Sequence, residues 1–176
     1  EDSNAASYAL PVRRAVTDVW LPAFRQVVEK LRATSLDLAD APMLARTHGQ
    51  PATPTTMGKE LGVFVWRAER VLARIEQTEY LAKFSGATGT WSAHLSADPD
   101  ADWPTIAREY VEGLGLGLNV LTTHIEPHDW QVELYDRVRH AGGIPHNPAP
   151  DIRPSIFLRY SAHTPAPRPA RSSPST

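Results

Sequence analysis

Between Arg46 and Glu60 the chain gathers side chains able to handle protons and anions. His48 stands between the hydroxyl of Thr47 and Gly49, followed by Gln50, Pro51, Thr53, Pro54, Thr55 and Thr56. An imidazole titrates near neutral pH, so it can give or take a proton in a reaction. The threonine hydroxyls and the Gln50 amide could bind carboxylate or phosphate oxygens. Pro51 and Pro54 fix φ and remove backbone donors, which holds the stretch out of any helix and stiffens it. A Thr-rich turn ahead of a helix also offers free N–H groups to an anion. Equally, the threonines could simply cap the helix that follows, and both can hold at once. Lys59 and Glu60 read either as a structural ion pair, the favoured reading, or as groups that orient the site.

A second cluster runs from Thr122 through Thr123, His124, Ile125, Glu126, Pro127 and His128 to Asp129. His124 and His128 have the four-residue spacing of a helical metal pair. Pro127 lies between them and predicts a helix start, so the two rings do not share a helical face and no metal is expected. Glu126, His128 and Asp129 read as capping and loop-bonding groups.

These residues need elements to position them. Residues 8 to 39 predict a helix, with Val16, Trp20, Phe24, Val27 and Leu31 on one face. Pro22 predicts a kink or a break within it. A second helix is predicted from about Thr56 to Phe84, with Met57, Leu61, Phe64, Val65, Ala68, Val71, Leu72 and Ile75 inward. Such a helix would be roughly 40 Å long, a bundle rod. Gly86 to Gly89 reads as a turn, 96–102 as a polar loop, and Trp103 to Leu114 as a short helix. A further helix is predicted from near Pro127 through Trp130, Leu134 and Val138.

Composition then shifts, with eight of the 16 prolines between Pro145 and Pro174. The expected organisation is a partial helical-bundle domain over 1–140 and an irregular Pro-rich tail over 141–176. Long helices without evident strands predict an all-α class, an elongated bundle.

The whole chain excludes several classes. At 176 residues it is one domain or a piece of a larger one, and it begins at Glu1. A net charge of −2 and a pI near 6.4 argue against a nucleic-acid surface. The lack of cysteine removes disulfide and thiolate chemistry and fits a reducing cytosol. No signal peptide is evident, and no apolar run reaches the length of about 18 residues that a membrane span needs.

The run from Arg46 to Glu60 closely resembles the histidine-bearing signature of the adenylosuccinate lyase family, within the fumarase/aspartase superfamily. Gly86, Ala87, Thr88 and Gly89 followed by Ser92, Ala93 and His94 resemble a second family segment. Thr122 to Asp129 resembles a third, and Glu1, Asp2 and Asn4 resemble the end of a fourth. The similarity extends without gaps from Glu1 to about Arg137.

The resemblance implies the superfamily's central helical bundle and a cofactor-free β-elimination that releases fumarate, in purine biosynthesis. Its substrates would be two nucleotides, adenylosuccinate and the succinyl aminoimidazole carboxamide ribotide. It implies His48 as the acid that protonates the leaving nitrogen, with Thr47 and Gln50 as substrate contacts. His124 falls where the family usually has a substrate-binding glutamine. By ungapped continuation Ser172 takes the place of the catalytic base and Ser173 that of an adjacent substrate contact. Arg171 replaces a family glycine there, so Ser172 is also readable as a serine in a Ser/Pro-rich terminus. The resemblance further implies a cytoplasmic homotetramer with sites shared between subunits, and a fragment inactive alone. Two other readings remain open: a superfamily lyase of the argininosuccinate type, and a degenerate, non-catalytic helical interaction module.

Overall fold

One helical rod, roughly 50 Å long at about 1.5 Å per residue, runs from Asp2 to Asp37. The computed structural model of the chain describes residues 1–48 and 50–146. The rod comprises α1 (Asp2–Arg14), a π-helical segment (Ala15–Trp20) and α2 (Leu21–Asp37). The expected break at Pro22 is replaced by local widening. Proline gives no N–H and crowds the carbonyl four residues back. Pro11 and Pro22 bracket the wide segment, and bonding to the fifth residue absorbs such a defect without ending the helix. The buried positions follow suit: Ala5, Ala9, Val16, Leu21 and Val28, with the step of five inside the wide segment. The predicted stripe is largely kept: Val16 is buried as expected, and the shift is confined to one position. Val27 is half exposed and Val28 is buried, while Trp20, Phe24 and Leu31 flank the core.

The expected strandless loop is instead an antiparallel hairpin, β1 (Pro42–Thr47) and β2 (Gln50–Thr56). Pro42 faces Thr56 and Thr47 faces Gln50, with an irregularity between Leu44 and Arg46. A two-stranded ribbon has only edge strands, so prolines that cannot donate are tolerated in it. The β-branched threonines favour the extended form.

α3 (Met57–Glu76) packs against α2 and against α6 (Asp129–His146). Val65, Ala68, Val71, Leu72 and Ile75 are buried at helical spacing, each larger one worth about 1.5–3 kcal/mol of apolar burial. Near the hairpin α2 and α3 touch backbone to backbone. A Cβ on Gly58 would lie 2.3 Å from the Ser35 carbonyl oxygen. Ser35 Oγ donates to the Gly58 carbonyl at 2.6 Å. Farther along, Arg25 pairs with Glu76 at 2.7 Å.

α3 stops well short of the predicted Phe84. The chain beyond it is recruited into a parallel pair, β3 (Leu81–Ala82) with β4 (Gly117–Leu118). Gly117 N–H donates to the Tyr80 carbonyl and Asn119 N–H to that of Ala82, both at 2.8 Å. Between these strands lie α4 (Ser92–Ala97), which takes the start of the expected polar loop, and α5 (Trp103–Gly113), close to its predicted span. Pro127 stays outside α6, and His128 before it is left-handed at φ 62°. α6 carries Trp130, Leu134, Ala141 and Ile144 into the core and runs past residue 140, where the tail was expected to begin. Ser172 and Ser173 lie outside the described residues. The described part is otherwise the helical bundle that the sequence predicts, and none of its helices is long and apolar enough to cross a membrane.

Candidate active site

His48 occupies the tip of the hairpin, exposed, with Thr47 and Gln50 pairing immediately behind it. Its φ of 52° is the left-handed conformation that a two-residue hairpin turn demands of its first central residue. Histidine is among the few side chains enriched there. The ribbon is anchored where it meets the helices. Met57 N–H donates to the Ala41 carbonyl at 3.0 Å and Gly58 N–H to that of Leu38 at 2.9 Å. Thr56 is the N-cap of α3, its Oγ1 accepting from Lys59 N–H at 3.2 Å. The first N–H groups of α3 are thus bonded within the protein, and of the two threonine roles, capping is the one Thr56 performs. Glu60 Oε1 accepts from Lys59 Nζ and from Thr55 Oγ1, each at 3.0 Å. The Lys59 hydrogen bond leads in holding this carboxyl below its ordinary range, with burial opposing and Thr55 adding. Lys59 and Glu60 form the expected structural pair.

His124 belongs to a different neighbourhood. Its Nδ1 lies 2.9 Å from the Ala87 carbonyl oxygen, on the Gly86–Gly89 turn. A carbonyl only accepts, so Nδ1 carries the proton in the neutral ring and Nε2 faces outward as an acceptor. Beneath the turn lies a polar cluster that sequence reasoning missed. Lys83 is only 1% exposed, and its Nζ pairs with Asp2 Oδ1 and donates to the Gly86 carbonyl at 2.9 Å. Asp2 Oδ2 in turn accepts from Gly86 N–H at 2.9 Å. Burial works to raise the Asp2 carboxyl. The Lys83 hydrogen bond and charge and the Gly86 and Ser85 amides outweigh it and hold Asp2 below the usual carboxylate range. Ser85 Oγ lies 3.3 Å from Thr122 Oγ1. Glu126, 2% exposed, accepts from Asn119 Nδ2 at 2.9 Å and from His128 N–H at 2.7 Å. The local signal was a lysine following two apolar residues and shortly preceding a glycine; its partner Asp2 lies 81 positions away.

Thr47, His48 and Gln50 therefore share the hairpin tip, and His124 joins the Asp2–Lys83 cluster. The hairpin follows the end of α2, whereas Asp2 opens α1, so the hairpin's base and the cluster lie at opposite ends of the rod. Among the described residues no group of three His, Cys, Asp or Glu side chains is arranged to hold a metal.

Residues 1–145 match the lyase family model, and the chain belongs to that family of lyases. Among curated proteins it is similar to the adenylosuccinate lyase of Escherichia coli K12, at 44% identity over 138 residues, 78% of this chain and 30% of that protein. The Vibrio cholerae adenylosuccinate lyase is 45% identical over 139 residues, covering 78% and 30%. That of Buchnera aphidicola from Schizaphis graminum is 38% identical over 160 residues, covering 91% and 35%. The chain thus spans about a third of the length of these relatives. Among solved structures it resembles a fumarate lyase from Mesorhizobium sp. BNC1, with a TM-score of 0.72 at 25% identity over 88% of this chain and 36% of that one. The 3-carboxy-cis,cis-muconate lactonizing enzyme of Pseudomonas putida shares the fold, with a TM-score of 0.73 at 24% identity over 90% of this chain and 35% of that one.

Proposed function

We propose that the chain is a central portion of an adenylosuccinate lyase and that His48 is its general acid. The observation that carries this reading is an exposed imidazole held at the tip of a stiff hairpin, in a chain 44% identical to the E. coli enzyme of that name. In the reaction a base takes the hydrogen beside a carboxylate of the succinyl group. The electron pair forms the new double bond, the C–N bond breaks, and the departing nitrogen takes its proton from His48. Adenylosuccinate leaves as AMP and fumarate, and the succinyl aminoimidazole carboxamide ribotide is cleaved likewise. The aci-carboxylate formed on the way needs donors around it, a role for Thr47, Gln50 and His124. Ser172 stands in the place of the base and Ser173 in that of a substrate contact. The scheme uses no metal or organic cofactor.

The separation of His48 from His124 supports sites completed by neighbouring subunits, and we infer a cytoplasmic homotetramer from the relatedness to adenylosuccinate lyases. A single 176-residue chain then turns over little or no substrate. The test is a chimera in which residues 1–145 replace the matching segment of the E. coli relative. With adenylosuccinate it should release fumarate, and His48→Ala in the chimera should lower kcat by about 10²–10⁴-fold. Full turnover by the alanine variant would remove His48 from the mechanism. Fumarate release from argininosuccinate instead would reassign the substrate, and a folded chimera inert towards both would leave only the helical-module reading.

A further inference from the structure

We propose that Lys83 is a positioning residue, which holds the Gly86–Gly89 turn and, through Ala87, sets the orientation and tautomer of His124. Four observations converge. Lys83 is buried, with its ammonium shared between the Asp2 carboxylate and the Gly86 carbonyl. The second Asp2 oxygen takes the Gly86 N–H, so both backbone groups of one glycine are held by one ion pair. The next residue, Ala87, presents the carbonyl to which His124 Nδ1 bonds. The turn also lies against the His124 segment, with a Cβ on Gly89 only 2.0 Å from the Thr122 carbonyl oxygen.

The chain of contacts has a chemical consequence. A loose turn would let the imidazole exchange tautomers and present Nε2 as donor or acceptor indifferently. The held turn leaves Nε2 as acceptor in the neutral ring, so that position favours a ligand group that donates, such as a hydroxyl or an amine. A glutamine amide would accept and donate alike. The inference rests on the lyase reading only for the role of His124 as a substrate contact.

The test is spectroscopic and uses the 176-residue chain. At about pH 8, where an imidazole is ordinarily neutral, long-range proton–nitrogen spectra of the wild type should show one protonated Nδ1 and one bare Nε2 for His124. Removing Lys83 alone strands the Asp2 charge, so the decisive variant is Asp2→Asn with Lys83→Met, which removes both charges together. With its helical circular dichroism retained, it should give averaged His124 nitrogen shifts and at least tenfold faster exchange of the Gly86 amide. A folded double variant with the wild-type His124 signature and Gly86 protection would overturn the proposal. So would a double variant that cannot fold, because Lys83 would then be a folding residue. Neither outcome bears on the chimera's turnover, and an inert chimera would leave this measurement intact.

Discussion

His48 stands at the end of a two-stranded ribbon open to solvent, whereas His124 leans on a turn whose backbone is tied down by two oppositely charged groups. At the tip, the conformation follows from local rules: a two-residue turn, β-branched strands and prolines that tolerate an edge. At the cluster, residues from both halves of the chain meet, and the local conformation is set by tertiary contacts between them. The difference teaches that an exposed imidazole can be placed by local stiffness alone. An imidazole whose tautomer is set by a carbonyl 37 positions away draws on the tertiary structure.

The contrast makes graded predictions. The largest effect is expected at Gly89, which combines φ 76° with backbone only 2.0 Å from where a Cβ would sit. Gly89→Ala should destabilise the chain by about 3 kcal/mol, read as a lower urea midpoint at unchanged slope. A wild-type midpoint would mean that the turn and Thr122 part freely. An intermediate effect is expected from acid. Asp2 has a depressed folded value, so its contribution is complete above the unfolded value near 3.8 and is lost as pH falls through the folded one. The stability gap between wild type and Asp2→Asn should therefore be constant from pH 7 to 5 and close below about pH 4; a gap that widened on acidification would reverse the sign. The smallest effect belongs to the tip. His48→Asn, whose side chain also tolerates the left-handed region, should change the stability read from the same urea curves by no more than about 0.5 kcal/mol. A loss comparable to that of Gly89→Ala would erase the distinction between the two regions.

The sequence made the helices legible because each buries one stripe, and α3, α5 and α6 declare that stripe in their spacing. It made Thr47, His48 and Gln50 legible as a unit because they are neighbours in the chain. The hairpin was not legible, since a run of prolines and threonines reads as loop unless its partner strand is known. The end of α3 was hidden for a related reason: Leu81 and Ala82 are helix formers drawn into a strand by Gly117 and Leu118. Lys83 could not be assigned to the interior until Asp2, at the other end of the numbering, was seen beside it. Family resemblance named His124 as a contact, but the bond from its ring to Ala87 spans 37 positions and shows only in the fold.

The wide turn between Val16 and Leu21 has a consequence for how one rod meets two partners. One added residue advances the helical phase by about 100°, so the side of α1 that meets β3 is not the continuation of the seam that α2 presents to α3. With ordinary winding throughout, a rod seated on α3 would aim its first carboxylate about a quarter-turn away from the lysine that receives it. The extra residue keys the two halves of the rod independently, and lets a single uninterrupted strut both zip the bundle and lock the far turn.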